Sequence, residues 1–312
     1  MGILKVVAYY KSVPQENSNV QKTALLENYI QGVRRHGDIG ELHNDFTHVP
    51  SDVGLIQGWV YENTTPPHLR LRKNVIDQQR MANKYAACAD ANLFLYADKT
   101  NPHGYLRYSY NGVFPNTGIY CDTEIDPKRW QKISLDTNIQ LKDYRKKGAH
   151  ILLMMQRQGG WSMGNYDVVE WTLDTIRKIK KHTDRPILLR AHPGDRNAKH
   201  YLYKRGSRLH NIPNVVIGKE QSDLKQELGK AWAVVNHNSS AVVGPIIQGY
   251  HCFLTDPASS QCAEVSNTDF STIEKPKEFD RQKWLERISM FHWSFEELRN
   301  GDCWAHMRNY AQ

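Results

Sequence analysis

The segment 185–195, RPILLRAHPGD, combines a cation, an imidazole and a Pro-Gly turn at the end of an apolar run. The run has the length of a buried strand, and Pro193 with Gly194 would end it. Arg190 and His192 are therefore expected at the carboxyl end of a strand, where open α/β sheets bind ligands. A guanidinium and an imidazole at this position could hold a diphosphate and stabilise it as it leaves. The alternative is a capped strand with two solvated polar residues.

Two other loops in the second half carry residues suited to an anion. The loop 156–162, QRQGGWS, follows a strand-like run, and its glycines let backbone N–H groups approach a ligand. The segment 236–241, NHNSSA, stands at a helix start, where the residues that cap the helix also help to grip phosphate. A flexible connection and a simple cap remain the alternatives. The candidate residues of the two loops are Gly159, Gly160, Trp161, Asn238, Ser239 and Ser240.

Strand-like and helix-like runs alternate along the chain, which predicts an α/β fold with two Rossmann-like, parallel-sheet domains facing across a cleft. The predicted strands are 4–10, 53–60, 91–97, 118–121, 149–155, 186–191, 214–217, 231–236 and 251–255. The predicted helices are 20–35, 68–84, 166–181, 221–229, 240–248 and a helical tail over 277–310. The expected domains are 1–145 and 146–275, followed by C-terminal helices over 276–312 that could cross back to the first domain.

The chain is basic, with 41 Lys and Arg against 33 Asp and Glu and a formal net charge of +8. Such a balance favours a polyanionic partner or an anionic substrate. The five cysteines are scattered and form no CxxC pair, so neither a disulfide framework nor a zinc site is predicted. No apolar run reaches the roughly 20 residues of a membrane helix, and the N-terminus is not a signal peptide. A soluble, monomeric, cytoplasmic protein without a membrane partner is therefore expected.

The order R-x-H-P at a strand end and then N-S-S at a helix start resembles the nucleotide-sugar half of GT-B glycosyltransferases. It is similar, over residues 149–275, to capsule-polysaccharide and teichoic-acid-type transferases, whose His-Pro and Ser-Ser motifs bind donor phosphates. The resemblance implies a nucleotide sugar as co-substrate. The contacts that it implies are with phosphate for His192, Ser239 and Ser240, with the base for Ile217, Gly218 and Lys219, and with ribose or sugar hydroxyls for Ser259, Ser260 and Glu264.

The segment 81–98, MANKYAACADANLFLYAD, resembles the helix-then-strand segment of phage DNA β-glucosyltransferases, in which a strand ends in the aspartate that acts as base. The resemblance puts the base at Asp98, with Glu16 orienting acceptor or base and Asp122 in reserve. It also implies a hydroxyl of 5-hydroxymethylcytosine, or of the uracil analogue, in double-stranded DNA as acceptor, and a host-cytoplasm location. UDP-glucose is the favoured donor. Because the chain has no Asp-x-Asp motif, only weakly bound Mg²⁺ is expected.

Several segments of the first half mix cations with aromatic residues, as in proteins that neutralise phosphates and support an extruded base. A solvated basic surface with core tyrosines is the alternative for each segment. The predicted DNA contacts are Arg70, Arg72, Lys73, Tyr105, Arg107, Tyr108, Lys128, Arg129 and Trp130.

The leading hypothesis is thus an inverting, DNA-modifying hexosyltransferase, for which one base and positive groups around the leaving diphosphate suffice. The alternative is a glycosyltransferase that builds a capsule, lipopolysaccharide or teichoic-type polymer. A non-enzymatic nucleic-acid-binding protein is a further alternative. An NAD-dependent oxidoreductase is discarded, because KSVPQENSN stands where the glycine fingerprint would follow the strand 4–10.

Overall fold

A computed structural model describes residues 2–14, 20–62, 64–94, 101–220 and 222–311. The chain forms two compact units, of which the first comprises Met1–Asn138 with Glu286–Gln312 and the second comprises Ile139–Leu285. The C-terminal segment thus belongs to the unit built by the N-terminal half. The domain boundaries predicted from the sequence lie after residues 145 and 275 instead.

The secondary structure alternates as expected for an α/β fold. Numbered in chain order, the strands are β1 (Lys5–Tyr9), β2 (Ile39–His43), β3 (Val53–Gln57), β4 (Tyr85–Asp90), β5 (Leu106–Tyr110), β6 (His150–Met154), β7 (Ile187–Arg190), β8 (Val215–Ile217), β9 (Ala231–Asn236), β10 (His251–Leu254) and β11 (His292–Trp293). The α-helices are α1 (Val20–Arg35), α2 (Pro67–Met81), α3 (Pro127–Thr137), α4 (Val168–Lys180), α5 (Ala198–Tyr201), α6 (Leu224–Leu228), α7 (Val243–Ile247), α8 (Arg281–Ser289), α9 (Phe295–Asn300) and α10 (Asp302–Arg308).

The first unit is built on a mixed sheet with the strand order β11-β5-β4-β3-β1-β2. Strands β1 to β4 pair in parallel, whereas β5 and β11 join the edge antiparallel. Alternate residues of β1 enter different cores: Val6 and Ala8 pack with α1, α9 and α10, whereas Val7 and Tyr9 pack with α2. Because both faces are covered, the residues Val6–Tyr9 are uniformly buried, as expected for a parallel strand between two helical layers.

The second unit is built on a fully parallel sheet with the order β10-β9-β6-β7-β8. The chain lays β6, β7 and β8 side by side, then returns to the other flank of β6 to add β9 and β10. Helix α4 covers this sheet with an apolar stripe that includes Trp171, Ile176 and Ile179, and Asp167 caps its first turn through Oδ1. The strand order therefore reverses between β6 and β9, and this position is a topological switch point.

The predicted α/β fold class is confirmed, and most predicted elements lie within a few residues of the observed ones. The strand predicted over 91–97 is wrong in its described part, because Ala91–Phe94 belong to no strand and the strand of this region is β4. Residues 95–97 lie outside the described residues. Hydrophobicity favoured LFLY over YAACAD, yet small side chains suit a central strand packed on both faces. The stretch 99–117, interpreted as irregular, contains β5, and Ile119 of the predicted strand 118–121 forms only an isolated bridge with Tyr110.

A buried carboxylate ties the C-terminal helix of the first unit to its N-terminal strand. Asp38 is 6% exposed and accepts hydrogen bonds from Leu4 N at 2.9 Å, Trp304 Nε1 at 2.7 Å and Arg308 Nε at 2.6 Å. Burial raises the pKa of Asp38, but these donors and the charge of Arg308 outweigh it and lower the pKa to about 2. Asp38 is therefore a carboxylate at every pH at which the protein is expected to work.

We expect Asp38→Asn to lower the free energy of unfolding at pH 7 by about 2 kcal/mol, because a buried, charge-assisted network loses its anion. In urea unfolding, the matched control Glu278→Gln breaks the exposed pair with Lys146 and should change stability by less than about 0.5 kcal/mol. Since the folded pKa of Asp38 is lowered, the advantage of the wild type is present above about pH 4 and is lost as the pH falls towards 2. Equal losses in both variants would contradict this role of Asp38.

Candidate functional site

The carboxyl edge of the parallel sheet in the second unit brings several predicted donor residues together. The loops after β6 and β9 leave the sheet on either side of the point where the strand order reverses, which is where open α/β sheets form a ligand crevice. The loop after β7, with His192, leaves the same edge. The candidate site is therefore the edge formed by residues 155–164, 191–197 and 237–242.

Side-chain amides join the loops after β6 and β9. Gln156 Nε2 donates to Asn238 Oδ1 at 2.8 Å, and both residues are buried. Asn238 Nδ2 donates to Ser162 O and to Asp256 Oδ2, each at 2.9 Å, and Asn236 supports the junction by donating from Nδ2 to Met154 O at 2.8 Å. Asn238, predicted to contact the donor, is thus committed to the protein network, because its buried amide has to be satisfied internally.

Asp195 joins the loops after β6 and β7. Its Oδ2 accepts from Gln158 N at 2.8 Å and from Tyr201 Oη at 2.7 Å, whereas its Oδ1 accepts from Asn197 N at 2.8 Å. The carboxylate is buried, so its charge is balanced by this set of donors. Asp195, for which no role was predicted, thus holds the glycine-rich loop beside the His-Pro turn.

His192 presents a hydrogen-bond donor at this edge. Its Nδ1 accepts from Gly194 N at 3.0 Å, so the proton of the neutral ring lies on Nε2. Burial lowers the pKa of His192, and the charge of Arg157 lowers it further, against the opposite effect of Asp195. The ring is therefore neutral at pH 7, with an Nε2–H group available for an anionic ligand.

Arg157 is the cation of the glycine-rich loop and was not among the predicted donor residues. Its side chain is exposed, its charge acts on His192, and it has no ion-pair or hydrogen-bond partner among the residues described. Gly159 has a φ of +68°, and a Cβ there would meet open space, so the left-handed turn itself is what requires glycine. Trp161, 40% exposed, opens the next turn, and buried Gly160 precedes it.

The Ser-Ser pair starts a short 3₁₀ turn that leads into α7. Ser239 is the cap residue: its Oγ accepts from Ala241 N at 3.1 Å, and its own N donates to Asn236 Oδ1 at 2.5 Å. Ser240 follows as the first residue of the turn and is partly exposed. The Oγ of Ser239 only accepts in this cap, so its O–H and that of Ser240 are the donors that the pair could offer to a phosphate. The N–H groups of Ser239, Ala241 and Val242 already donate within the turn.

Arg190 does not offer the free guanidinium expected from the sequence. It forms an ion pair with the buried carboxylate of Glu227 and donates from Nη1 to Ser222 O at 2.9 Å. Ser222 Oγ donates to the same carboxylate at 2.5 Å. Gly218 belongs to this packing, because a Cβ there would run into the Glu227 carboxylate. Arg190 and Gly218 therefore hold α6 against β7 and β8.

The remaining predicted donor residues lie outside these three loops. Ser260 is buried, and its Oγ accepts from Cys262 N at 3.2 Å in a local turn. Lys219 and Glu264 are exposed. Their roles in donor binding stay predictions.

The first unit has its own polar edge, where β1, β3 and β4 end. Ser12 Oγ accepts from Gln57 N at 3.2 Å, and Arg72 donates from Nε to Ser12 O at 2.8 Å. Asp90, the last residue of β4, pairs with Arg107 Nη2 at 2.5 Å. Burial raises the pKa of Asp90, but the charge and hydrogen bond of Arg107 and the N–H of Ala91 outweigh it, and the net pKa is lowered.

The predicted catalytic pair Asp98 and Glu16 lies outside the described residues. Asp122, the reserve base, pairs with Arg287 at 2.7 Å. The strand that was expected to end at Asp98 ends at Asp90, so Asp90 is a carboxylate at a strand end that sequence reasoning missed.

Most of the predicted DNA contacts are interior residues. Seven of the nine predicted residues, three aromatic residues and four cations, are buried or partly buried. The buried or partly buried residues are Arg72, Lys73 (paired with Asp77 at 2.6 Å), Tyr105 (donating to Asp136 at 2.7 Å), Arg107, Tyr108, Arg129 (paired with Glu297 and 3.8 Å from the Trp293 ring centroid) and Trp130. Only Arg70 and Lys128 of the predicted set are exposed.

The described ranges contain neither a metal-binding cluster nor a membrane-spanning helix. No group of three or more His, Cys, Asp or Glu side chains in these ranges could hold a metal ion. No described helix is both long enough and apolar enough to cross a membrane.

Comparisons with known proteins relate this chain to sugar transferases by fold. No protein-family model matches the sequence, and no curated protein matches it. Among solved structures, the β-Kdo 2,4-transferase of KpsC from Thermosulfurimonas dismutans is similar, with a TM-score of 0.56, 12% identity, and coverage of 93% of this chain and 91% of that one. The β-Kdo 2,7-transferase of the same KpsC has a TM-score of 0.52, 11% identity, and coverage of 99% and 100%. At this identity the likeness establishes the fold: two parallel-dominated sheets with alternating helices, as in GT-B glycosyltransferases.

Proposed function

We propose that this protein is a glycosyltransferase that moves a sugar from a nucleotide-sugar donor to a hydroxyl of a cell-envelope saccharide. The observation that carries the proposal is the edge of the second sheet at the β6–β9 switch point. The loops there carry the neutral His192, Ser240 at the start of the 3₁₀ turn, and Arg157, and neither His192 Nε2 nor the Arg157 side chain has a hydrogen-bond partner among the described residues. Gln156–Asn238 and Asp195 hold these loops together.

These groups suit a diphosphate better than a neutral ligand. An imidazole N–H and a guanidinium form charge-assisted hydrogen bonds with an anion, and the hydroxyl of Ser240 adds a polar contact. Preorganised donors of this kind stabilise the negative charge that grows on a leaving nucleoside diphosphate. Two carboxylates near these groups in the chain are already hydrogen-bonded, because Asp167 caps α4 and Asp195 joins two of the loops.

The fold likeness supports a sugar transferase rather than a binding protein. The two KpsC structures are named as Kdo transferases, and each aligns along more than nine-tenths of both chains. This likeness agrees with the capsule-type resemblance of the R-x-H-P and N-S-S motifs.

A saccharide acceptor is favoured over DNA. A duplex needs exposed cations that reach its phosphates, whereas Arg72, Arg107 and Arg129 are held inside the first unit. The net charge of +8 agrees equally well with an anionic sugar substrate. Transfer to a saccharide hydroxyl requires only a base. For this role we retain Asp98, and Glu16 remains the second predicted catalytic residue.

The decisive experiment is a transfer assay with the full chain. Donors are UDP-glucose, UDP-N-acetylglucosamine and nucleotide-activated Kdo, each with and without Mg²⁺, and acceptors are cell-envelope oligosaccharides and hydroxymethylated duplex DNA. We expect a glycosylated oligosaccharide by mass spectrometry with at least one donor. Glycosylated nucleosides with unmodified saccharides would instead restore the DNA hypothesis, and no product together with no nucleotide binding would refute the proposal.

We expect His192→Ala and Arg157→Ala each to weaken nucleoside diphosphate binding about tenfold in calorimetry, because each removes one charge-assisted or polar contact worth about 1.4 kcal/mol. Lys230→Ala is the matched control. Lys230 is exposed and directly precedes β9, so this variant removes a positive charge from the opposite edge of the sheet. An equal loss in Lys230→Ala would reduce the effect to net charge and contradict a phosphate site at the carboxyl edge.

We expect Asp98→Asn to lower kcat at least about 100-fold while nucleotide affinity is unchanged, because the acceptor hydroxyl loses its base. Asp90→Asn is measured beside it, since Asp90 ends β4 but is held by Arg107. Normal turnover of the Asp98 variant would remove Asp98 from the mechanism. If the Asp90 variant alone were inactive, the base would be reassigned to Asp90.

A further inference from the structure

Arg72 is a buried guanidinium that its surroundings only partly satisfy. The residue is 8% exposed and projects from α2 towards the edge where β1 and β3 end. Its Nε donates to Ser12 O at 2.8 Å, and its Nη2 donates to Gln57 Oε1 at 3.0 Å. Among the residues that the structure describes, Nη1 has no hydrogen-bond partner, and no carboxylate lies within ion-pair distance.

Other buried arginines of the chain are neutralised or fully engaged. Arg107, Arg129 and Arg190 each pair with a carboxylate. Arg281 donates from both terminal nitrogens to backbone carbonyls and lies 3.7 Å from the centroid of the Tyr144 ring. Arg281 has no described carboxylate partner either, but both of its terminal nitrogens donate, whereas one terminal nitrogen of Arg72 has no described partner. An unpartnered donor on a buried charge is costly, so Arg72 requires an explanation.

The backbone is shaped to fit the guanidinium. Gly58, directly after β3, has a φ of +80°, and a Cβ at this position would lie 2.6 Å from Arg72 Nη1 and 3.3 Å from Cζ. Any other residue would therefore push the unpartnered nitrogen away from the strand end. A glycine at a close approach of backbone to a charged group is a feature of ligand sites as well as of packing.

The charge of Arg72 persists under working conditions. Burial lowers its pKa to about 10, while Cys88 and Asp90 act in the opposite direction. Asp90, the nearest described carboxylate that acts on it, is held by Arg107 at 2.5 Å. The Asp90–Arg107 pair is neutral as a whole, and no carboxylate among the described residues forms an ion pair with Arg72.

We propose that Arg72 is the centre of an anion-binding subsite at the carboxyl edge of the first sheet, where Nη1 binds one carboxylate or phosphate group of a small ligand. A single nitrogen at a buried position fits one anionic group of a sugar acid or a sugar phosphate, and not the phosphate chain of a nucleic acid. In the proposed reaction the group belongs to the acceptor saccharide, and this assignment to the acceptor alone rests on the proposed function.

The test uses the full chain with ¹⁵N-labelled arginine side chains. Glucuronate and glucose 6-phosphate supply the two anionic groups, and glucose is the neutral control, all at constant ionic strength. The Nε–H signal of Arg72, bonded to Ser12 O, is assigned by its loss in Arg72→Lys. We expect it to shift with one or both anions and not with glucose, and the stronger binder identifies the preferred group. No shift with either anion overturns the proposal.

Two variants separate this site from general charge effects. Gln57→Glu keeps the shape of the side chain but gives Arg72 an internal carboxylate in place of the amide oxygen at 3.0 Å, so the fold is retained and anion affinity should fall about tenfold or more. Arg70→Gln removes an exposed charge from the same helix and should change affinity less than about twofold. Unchanged binding in Gln57→Glu, or equal losses in both variants, contradicts the subsite.

Anion binding at Arg72 can be measured whether or not the protein transfers a sugar. His192→Ala should leave the Arg72 shift intact, because His192 belongs to the other unit's sheet edge. A chain that binds these anions through Arg72 but transfers no sugar would refute the proposed function and keep the subsite. Sugar transfer to neutral acceptors, with no shift of the Arg72 signal, would support the proposed function and refute the subsite.

Discussion

The amide pair between Gln156 and Asn238 is the contact on which the candidate donor site depends. A parallel sheet whose strand order reverses must send two neighbouring loops in opposite directions, and the backbone groups between them lose their ladder partners. Gln156 and Asn238 satisfy each other at 2.8 Å across this gap, and Asn238 extends the bond to Ser162 and Asp256. Buried amides of this kind are rigid because each unsatisfied group would cost about 1–3 kcal/mol. The loops with Arg157 and Ser240 are therefore held by the interior, which leaves their own polar groups to a ligand.

Several of the arginines that make the chain basic lie in buried ion pairs, whereas a count of charges suggests a basic surface. Arg107, Arg129 and Arg190 sit beside Asp90, Glu297 and Glu227 in the two interiors. Each of these pairs joins elements that are distant in sequence, such as α3 with α9 or β7 with α6. Segments such as YLRYSY and PKRWQK therefore combine cations with aromatics for packing, which is the same composition that nucleic-acid-binding surfaces use. Composition alone does not distinguish the two, because burial depends on which face of β5 or α3 turns inward.

The sequence predicted the fold class and the second sheet well because parallel strands buried on both faces are continuous apolar runs, as in Ile187–Leu189 and Ala231–Val235. It failed at β4, where the buried residues Ala86–Ala89 are too small to raise hydrophobicity above that of the following LFLY. The strand ends in the second sheet were predicted correctly, so His192 and Ser240 were placed at its carboxyl edge, and their contact with a donor stays a prediction. The partner of Arg190 could not be predicted, since Glu227 lies in a short helix 37 residues later and only the three-dimensional fold shows that the two charges meet. Arg157 carries no motif signal of its own, because a single cation before two glycines is common in exposed loops.

Pairing also decides how Arg190 and Arg72 differ, although both stand at carboxyl edges and both were predicted to bind phosphate. Arg190 has Glu227 and Ser222 around its Nη1, and the glycine at 218 makes room for that carboxylate. Arg72 lies against Gly58 and has no carboxylate partner among the described residues, and its Nη1 is the atom that a Cβ at Gly58 would meet first. A nearby glycine thus accompanies an internal ion pair in one sheet and, in the other, a guanidinium with one terminal nitrogen that has no described partner. Because an unpartnered donor on a buried charge is costly, an anion brought by a ligand would stabilise the second arrangement, as the proposed subsite requires.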